Sequence, residues 1–339
     1  MIETKKLTKN FGSLVAVSDL DLQIGAGDIF GFIGPNGAGK TTTMRILVTL
    51  LEPTSGEAFI DGLDVRKKGK EVRRRVGYMP DFMGVYDDLK VFEYLEFFAA
   101  AFGIEYRKRK AIVDGVLELT DLGSKQEALV DSLSRGMQQR LGLARVLIHD
   151  PKVLILDEPA SGLDPRARIE MRELLRELRR MGKTIMISSH ILSELEEICD
   201  RIGIIEHGQL VFSGTLEEIR SRLGIQSKIR VKVLGNESRA VELLSALPQI
   251  QSVEVVGTQP RGEGVPPLRA ETESKAKMAS PLTPEAGGST LLVTFKEGAN
   301  TDGLIARTLV TGGVDLVVLQ PEQLKLDDAF LQLTKGIVH

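Results

Sequence analysis

The sequence predicts an α/β domain followed by a smaller α+β domain, and three features support this. Two short apolar runs, Lys152–Asp157 and Lys183–His190, are typical of strands that a sheet buries on both faces. In Asp28–Leu51 a strand, a glycine-rich loop and a helix follow one another. After about residue 225 the predicted elements change to the order β-α-β-β-α-β, which indicates a separate folding unit.

Local patterns predict the other elements of the first domain. Ile2–Leu7 and Leu20–Ile24 alternate polar and apolar residues, as strands buried on one face do. Residues 82–150 are predicted to be mostly helical, and Pro165–Gly182 has the pattern of a charged amphipathic helix that ends at its glycine.

A hairpin and a short helix are predicted to close this domain. Arg201–Gly214 reads as two strands that turn at His207 and Gly208. Thr215 and Glu218 have the spacing of a capping box, which predicts the start of another helix.

The second domain has the element order of a small ferredoxin-like unit. Its predicted elements are strand Ser227–Gly235, helix Glu237–Leu247, strands Gln251–Gly257 and Ser289–Gly298, helix Asn300–Gly313, strand Val314–Leu319 and a last helix, Leu326–Gly336. Residues 257–288 are rich in Pro, Gly, Ser, Glu and Lys and contain no aromatic residue, so we predict a disordered insertion. We place the domains at residues 1–221 and 226–339.

Composition excludes several classes of protein. The 339 residues are 42% hydrophobic and 27% charged with a net charge of −3, so no overall charge favours nucleic acid or anionic lipid. Cys199 is the only cysteine, which excludes a disulfide framework and indicates a reducing compartment. We expect no signal peptide and no membrane span, since even Val91–Ile104 is interrupted by glutamates. Any role at a membrane must then involve a partner.

Gly34–Thr41, "GPNGAGKT", matches the phosphate-binding loop pattern G-x-x-x-x-G-K-[ST], and it follows an apolar strand and opens a helix, as this loop requires. Lys40 is expected to reach the β- and γ-phosphates of a nucleotide, and the Thr41 hydroxyl to bind Mg²⁺. The residues predicted to bind the nucleotide here are Gly34, Pro35, Asn36, Gly37, Ala38, Gly39, Lys40, Thr41 and Thr42.

Two acidic residues end the apolar run "VLILDEP". Asp157 is placed to hold Mg²⁺ through water, and Glu158 to polarise or orient an attacking water. His190 ends the other buried strand and is predicted to sense the γ-phosphate, although a single histidine is more often structural. The phosphate-binding loop, the acidic pair and His190 all follow predicted parallel strands. Sheets of such strands bind ligands at the carboxyl ends of the strands.

With these motifs in order, the chain resembles the ATP-binding subunits of ABC transporters over roughly residues 1–220. The resemblance adds Ala160–Asp164 ("ASGLD") and the helix start "LSRGMQQR", which stands where the family has its signature sequence. It implies an α/β P-loop NTPase domain with a mixed central sheet, an antiparallel β subdomain and a helical subdomain. It also implies ATP hydrolysis with ATP and Mg²⁺ as cofactors.

The resemblance further implies a head-to-tail dimer, with two ATP molecules between the subunits. Phe11 stands where the family stacks an aromatic residue on adenine, and Asp164 where a residue crosses the dimer interface. Ser134 and Gly136 stand at signature positions that contact the γ-phosphate of ATP on the opposite subunit. A homodimer is therefore expected.

Two positions depart from the family pattern. The usual signature is Leu-Ser-Gly-Gly-Gln, whereas this chain has Arg135 and Met137 at the third and fifth places. Arg135 is expected either to add a phosphate contact or to face solvent. Asp81 replaces a glutamine that normally touches Mg²⁺ and the attacking water; an aspartate can still contact Mg²⁺ through water, so we keep it as a candidate metal residue.

The stretch "YMPDFMGVYDDLKVFEYLEFFA", with the signature and the ending "AFLQLTKG", resembles the branch that serves ABC-2-type exporters of drugs and antibiotics. This implies a separate ABC-2-type membrane permease and a cytoplasmic subunit, peripheral on the inner face of the cell membrane. The second domain would regulate or support the dimer, or be a passive extension. A group of aromatic residues either forms a docking groove for the permease or belongs to the core of the helical subdomain. These residues are Phe82, Phe92, Tyr94, Phe97, Phe98 and Phe102.

Two other functions compete with export. The first is an ABC-type ATPase that acts on nucleic acid or ribosomes; such proteins usually have two cassettes or a long coiled-coil insertion, so we expect no nucleic acid partner. The second is a nucleotide switch without hydrolysis, against which Glu158 argues.

Overall fold

The computed structural model describes residues 1–81, 84, 88–191, 195–222, 228–258, 288–296 and 303–321. The chain forms two compact units, with the boundary between Ile219 and Arg220. Among the described residues, no helix combines the length and the apolar character needed to cross a membrane.

A six-stranded sheet forms the centre of the first unit. Its strands are β3 (Ile29–Ile33), β6 (Val76–Met79), β7 (Val153–Asp157), β8 (Thr184–Ser189), β9 (Arg201–Glu206) and β10 (Gln209–Gly214). They lie in the order β10-β9-β3-β8-β7-β6, and every pair is parallel except β10 with β9. Strands β3, β7 and β8 are buried along their whole length, as their apolar sequences predict.

The antiparallel pair β9 and β10 is the predicted hairpin. His207 and Gly208 have φ angles of +46° and +79°, so both central residues of the turn are in the left-handed region. This geometry is that of the tight turns whose twist suits two antiparallel strands.

A second, antiparallel sheet has the order β2-β1-β4-β5. Its strands are β1 (Ile2–Phe11), β2 (Leu14–Ile24), β4 (Ser55–Ile60) and β5 (Leu63–Asp64). Apolar residues of this sheet, including Ile2, Leu20 and Ile60, share one buried cluster with Phe30 and Phe32 of the central sheet. The cluster packs strand β3, which precedes the P-loop, against the antiparallel sheet.

Helices surround the sheets of the first unit. They are α1 (Lys40–Leu47), α2 (Gly69–Arg73), α3 (Val91–Ala101), α4 (Tyr106–Leu119), α5 (Arg135–Leu147), α6 (Pro165–Arg180) and α7 (Leu216–Arg222). Helices α3, α4 and α5 pack on one another and form the predicted helical region. The predicted capping box is present, since Thr215 N donates to Glu218 Oε2 at 2.8 Å and Glu218 N donates to Thr215 Oγ1 at 3.1 Å.

The second unit has the predicted order of strands and helices. Its elements are β11 (Lys228–Leu234), α8 (Glu237–Ser245), β12 (Ile250–Thr258), β13 (Ser289–Phe295), α9 (Leu304–Thr311) and β14 (Asp315–Pro321). The strand order is β12-β13-β11-β14 with every pair antiparallel, and both helices contribute apolar residues to one core with the sheet. Strand β12 runs two residues into the segment expected to be an insertion. Residues 259–287 and the expected last helix lie outside the described residues.

Candidate functional site

Three loops meet at the carboxyl ends of the neighbouring strands β3, β8 and β7. Ile33, at the end of β3, pairs with Ser189 of β8, and Asp157, at the end of β7, pairs with Ser188. The phosphate-binding loop, the acidic pair and the histidine therefore emerge side by side, although they are far apart in the sequence. This is the edge at which the sequence predicts the site.

The P-loop wraps closely around the start of helix α1. A side chain on Gly34 would overlap the carbonyl oxygen of Ile205, and a Cβ on Gly39 would lie 2.5 Å from the carbonyl oxygen of Ala16. Gly39 also has a φ of +107°, which residues with a side chain rarely adopt. The loop encloses a cavity of about 170 Å³ lined by residues 35–42 with Asp81 and Glu158. Its position at a helix N-terminus suits a phosphate group.

Lys40 is buried at the floor of this loop, with only 6% of its side chain exposed. Its ammonium group donates to the carbonyl oxygens of Gly34 at 2.6 Å and Pro35 at 3.3 Å, and lies 3.7 Å from Glu158 Oε1. Burial lowers the pKa of Lys40, while the carboxylates of Glu158 and Asp157 oppose the shift. An incoming phosphate would favour the charged form of this lysine.

Asp157 is almost wholly buried, and its carboxylate joins the start of helix α1 to the end of strand β8. Thr41 Oγ1 donates to Asp157 Oδ2 at 2.7 Å, and Ser188 Oγ donates to Asp157 Oδ1 at 2.5 Å. A threonine hydroxyl and a carboxylate at this separation provide oxygen ligands of the kind that Mg²⁺ prefers, with room for phosphate and water ligands in the adjoining cavity. Thr41 and Asp157, two of the three residues predicted to bind the metal, therefore fit this ion.

Ser188 is a site residue to which the sequence assigns no role of its own. Its hydroxyl donates to Asp157 and accepts from the backbone N–H of Glu158 at 2.9 Å. It thus fixes both acidic residues from the neighbouring strand. The only signal in the sequence is a serine at the end of a buried strand, just before the predicted histidine.

Glu158 lies between a lysine and a histidine. Its Oε1 faces Lys40, and its Oε2 lies 2.9 Å from His190 Nδ1. The backbone of Glu158 has a φ of +51°, in the left-handed region that non-glycine residues rarely adopt. Such strain persists where surrounding contacts impose it, and it is concentrated at functional sites. The carboxylate is held at the edge of the P-loop cavity, where it can accept a proton from water.

The remaining predicted residues lie outside the lining of the P-loop cavity. Ser134 caps helix α5, accepting from Met137 N at 3.4 Å, and Asp164 caps helix α6, accepting from Ala167 N at 2.9 Å. Gly136 lies in the first turn of α5. Phe11 is 48% exposed at the end of β1, with Lys9 Nζ 5.1 Å from its ring centroid.

Comparison with known proteins identifies this arrangement. The ABC transporter family profile matches residues 17–161. The bacitracin transport ATP-binding protein BcrA of Bacillus licheniformis is 38% identical over 314 residues, which cover 92% of this chain and 98% of that protein. The chain belongs to the ABC transporter family. The resemblance inferred from its motifs is confirmed, and the protein is an ATP-binding and ATP-hydrolysing subunit.

Two further relatives of this ABC ATPase are also ATP-binding proteins of the same family. The Nod factor export ATP-binding protein I of Burkholderia lata is 42% identical over 213 residues, covering 63% of this chain and 70% of that protein. The solved structure of a dimeric ATP-binding cassette in a post-hydrolysis state, bound to ADP and Pi, is 25% identical to this chain. The two structures align over 64% of this chain and 99% of the cassette, with a TM-score of 0.58.

Proposed function

We propose that this ATPase powers export through a separate ABC-2-type membrane permease, as a homodimer that encloses ATP and Mg²⁺ between its subunits. We propose a homodimer because Ser134 and Gly136 lie outside the lining of the P-loop cavity in their own chain. Residues with an anion-binding geometry but no phosphate site beside them are suited to a phosphate presented by a second subunit. The solved relative bound to ADP and Pi is a dimer.

Each residue of the site has a proposed role. Lys40 binds the terminal phosphates, and Thr41 and Asp157 hold Mg²⁺, which neutralises phosphate charge when bound. Glu158 accepts a proton from the attacking water or orients it. His190 holds Glu158 through its Nδ1 and responds to the γ-phosphate.

Five further residues complete the proposal. Asp81 lines the cavity and contacts Mg²⁺ through water. Phe11 stacks on the adenine ring, for which its half-exposed position leaves one face available. Ser134, Gly136 and Asp164 face the second subunit.

Ser134→Arg tests the homodimer. The added side chain would occupy the proposed contact with the partner's nucleotide, so hydrolysis should fall by about a hundredfold or more while one subunit still binds ATP. Nucleotide affinity, turnover and the mass of the protein in solution measure these effects.

Ser134→Ala removes the cap of α5 and the proposed hydroxyl contact but adds no bulk, so it should cost about 1 kcal/mol in stability and lower hydrolysis less than Ser134→Arg does. Ser124→Arg, on an exposed turn, should behave as the parent. Loss of ATP binding in Ser134→Arg would contradict the placement of this loop.

The proposal of export rests on relatives. BcrA is named for bacitracin transport and its counterpart in Burkholderia lata for Nod factor export, and BcrA aligns over nearly its whole length. The chain would then act peripherally on the inner face of the cell membrane. Its ATPase domain would span residues 1–221, and the unit from residue 226 to 339 would regulate or support the dimer.

A groove beside helix α3 suits the permease. It measures about 260 Å³, and its lining includes Tyr78, Phe98, Phe102, Arg145 and His149. The Nδ1 of His149 is buried without a hydrogen-bond partner among the described residues, while its ring stacks on Phe102 at 4.0 Å. An apolar groove that also carries the charged side chain of Arg145 suits an amphipathic segment of a partner.

The sequence does not decide whether the aromatic residues near α3 belong to the core or to a docking surface, and their exposure differs. Tyr94 is wholly buried and belongs to the core, whereas Phe97 and Phe102 are 50% and 45% exposed. Of these two, Phe102 lines the groove. Phe82 lies outside the described residues.

Phe102→Ala tests the groove. Loss of a half-exposed ring that a partner covers should weaken capture of the permease from detergent extract by roughly tenfold, without changing ATP binding. Phe97→Ala removes a similarly exposed ring from α3, five residues earlier in the chain, and is the matched control. Equal capture by the parent and Phe102→Ala would exclude the groove as the docking site. Recovery of nucleic acid or ribosomes in place of a membrane protein would instead support the competing function.

A further inference from the structure

Arg135 stands where the family signature has glycine, and its side chain lies against its own chain. A Cβ atom built on Gly162 would lie 2.5 Å from both Nη atoms of Arg135, and closer still to Cζ. The guanidinium group therefore occupies the space that a side chain at position 162 would need. Gly162 also has a φ of +66°, so only a residue without a side chain fits here comfortably.

Gly162 belongs to the loop that connects Glu158 to helix α6. The loop is two consecutive tight turns: Ser161 N donates to Glu158 O at 3.0 Å, and Leu163 N donates to Ala160 O at 3.3 Å. Because each turn constrains the next, a group that fixes Gly162 also limits the movement of the Glu158 backbone. The left-handed backbone of Glu158 depends on such external contacts.

The first turns of helices α5 and α6 touch beside this contact. A Cβ on Gly136 would lie 3.0 Å from the Cβ of Ala167, and Arg140 Nη2 lies 3.8 Å from Glu170 Oε2. Arg135 extends this contact from the two helices to the loop before α6. The start of the signature helix and the loop after Glu158 are thereby joined within one subunit.

We propose that Arg135 is a positioning residue for ATP hydrolysis. It packs on Gly162 and so keeps the loop of residues 160–163, and through it Glu158, in a fixed position relative to the start of α5. The contact is made within one chain and does not depend on the dimer, although its effect on turnover rests on the proposed role of Glu158. Arg135 is exposed, yet its guanidinium group lies against its own chain, and we assign it this contact rather than a phosphate ligand.

Arg135→Gly in the full-length chain is the first test. The loop should loosen, so kcat for ATP should fall roughly tenfold, while KM stays within about twofold because the P-loop is untouched. Amide hydrogen exchange in residues 160–163 should become faster. Exchange measures the loop directly, so it tests Arg135 even if Glu158 proves to have another role. Unchanged exchange and unchanged kcat would overturn the proposal.

Gly162→Ala should reproduce the effect, because its methyl group would displace the guanidinium. Gly182→Ala is the matched control, since Gly182 has a φ of +83° but nothing within 4 Å of its Cβ position. It imposes the same kind of backbone strain without touching an arginine. In a double-mutant cycle, Gly162→Ala should lower kcat much less in the Arg135→Gly background than in the parent. Independent, multiplicative effects would contradict a direct contact.

Arg135→Lys and Arg135→Met separate positioning from phosphate binding. Both side chains keep an apolar stem but lack the planar guanidinium that covers Gly162, so they should lower kcat to a similar extent. A contact between Arg135 and a phosphate group would be partly kept by lysine and lost with methionine. High activity in Arg135→Lys together with low activity in Arg135→Met would therefore overturn the proposal.

Discussion

Glu158→Gln should lower ATP turnover by about a hundredfold to a thousandfold while leaving ATP affinity close to that of the parent. Glutamine has nearly the same shape, so it can keep the contact with His190 and the hydrogen bond that its backbone N–H donates to Ser188. It cannot accept a proton from the attacking water. The loss of one negative charge beside Lys40 should also favour binding of a triphosphate.

Single-turnover hydrolysis, nucleotide affinity and mass in solution measure this result. With hydrolysis blocked, ATP should hold two subunits together, so the variant should become dimeric when ATP is added. Glu177→Gln is the control, since Glu177 lies at the far end of α6 and pairs there with Arg180. Unchanged turnover in Glu158→Gln would remove Glu158 from the hydrolytic step.

Lys40→Met should abolish measurable hydrolysis and weaken ATP binding by roughly tenfold to a hundredfold. Charge-assisted hydrogen bonds contribute about 1.5–3 kcal/mol each, and about 1.4 kcal/mol corresponds to a tenfold change in affinity. Methionine fills similar space without the charge. It leaves the carbonyl oxygen of Gly34 without the lysine donor, whereas that of Pro35 still accepts from Ala38 N, and it removes the cost of burying a cation. The melting temperature should therefore change by only a few degrees.

Lys183→Met is the matched control, because Lys183 is also buried, with 9% exposed, and lies at the opposite end of the central sheet. Its partner Asp150 is largely exposed and can be hydrated when the lysine is lost. This variant should bind and hydrolyse ATP as the parent does. Equal loss in both variants would indicate that burial of a cation in the sheet, and not contact with phosphate, explains the effect of Lys40→Met.

Much of the fold could be predicted because the signals are local. Val153–Asp157 and Thr184–Ser189 each contain an unbroken apolar run, and the structure buries both strands completely. The P-loop, the acidic pair and His190 each directly follow a strand, so the shared edge of the sheet follows from parallel pairing alone. The order of the second unit was equally predictable, since each of its strands and helices is a short apolar segment with its own local pattern.

The contacts within the site could be predicted only in part. Thr41 and Asp157 were predicted to share a metal ion, but the part played by Ser188 was not, because a serine at a strand end has no distinctive pattern. Its role depends on the register of β7 with β8, which sets Asp157 against Ser188. Register is decided by the packing of whole strands and not by the residues at their ends.

Taken alone, the sequence determined the family, the nucleotide site and the arrangement of elements, because these depend on short motifs and on local periodicity. The tertiary structure decided where Arg135 lies. The sequence left this residue between a phosphate contact and solvent, since a long flexible side chain at a helix start can take either direction. Only the packing of α5 against α6 brings it onto Gly162, a residue 27 positions later in the chain.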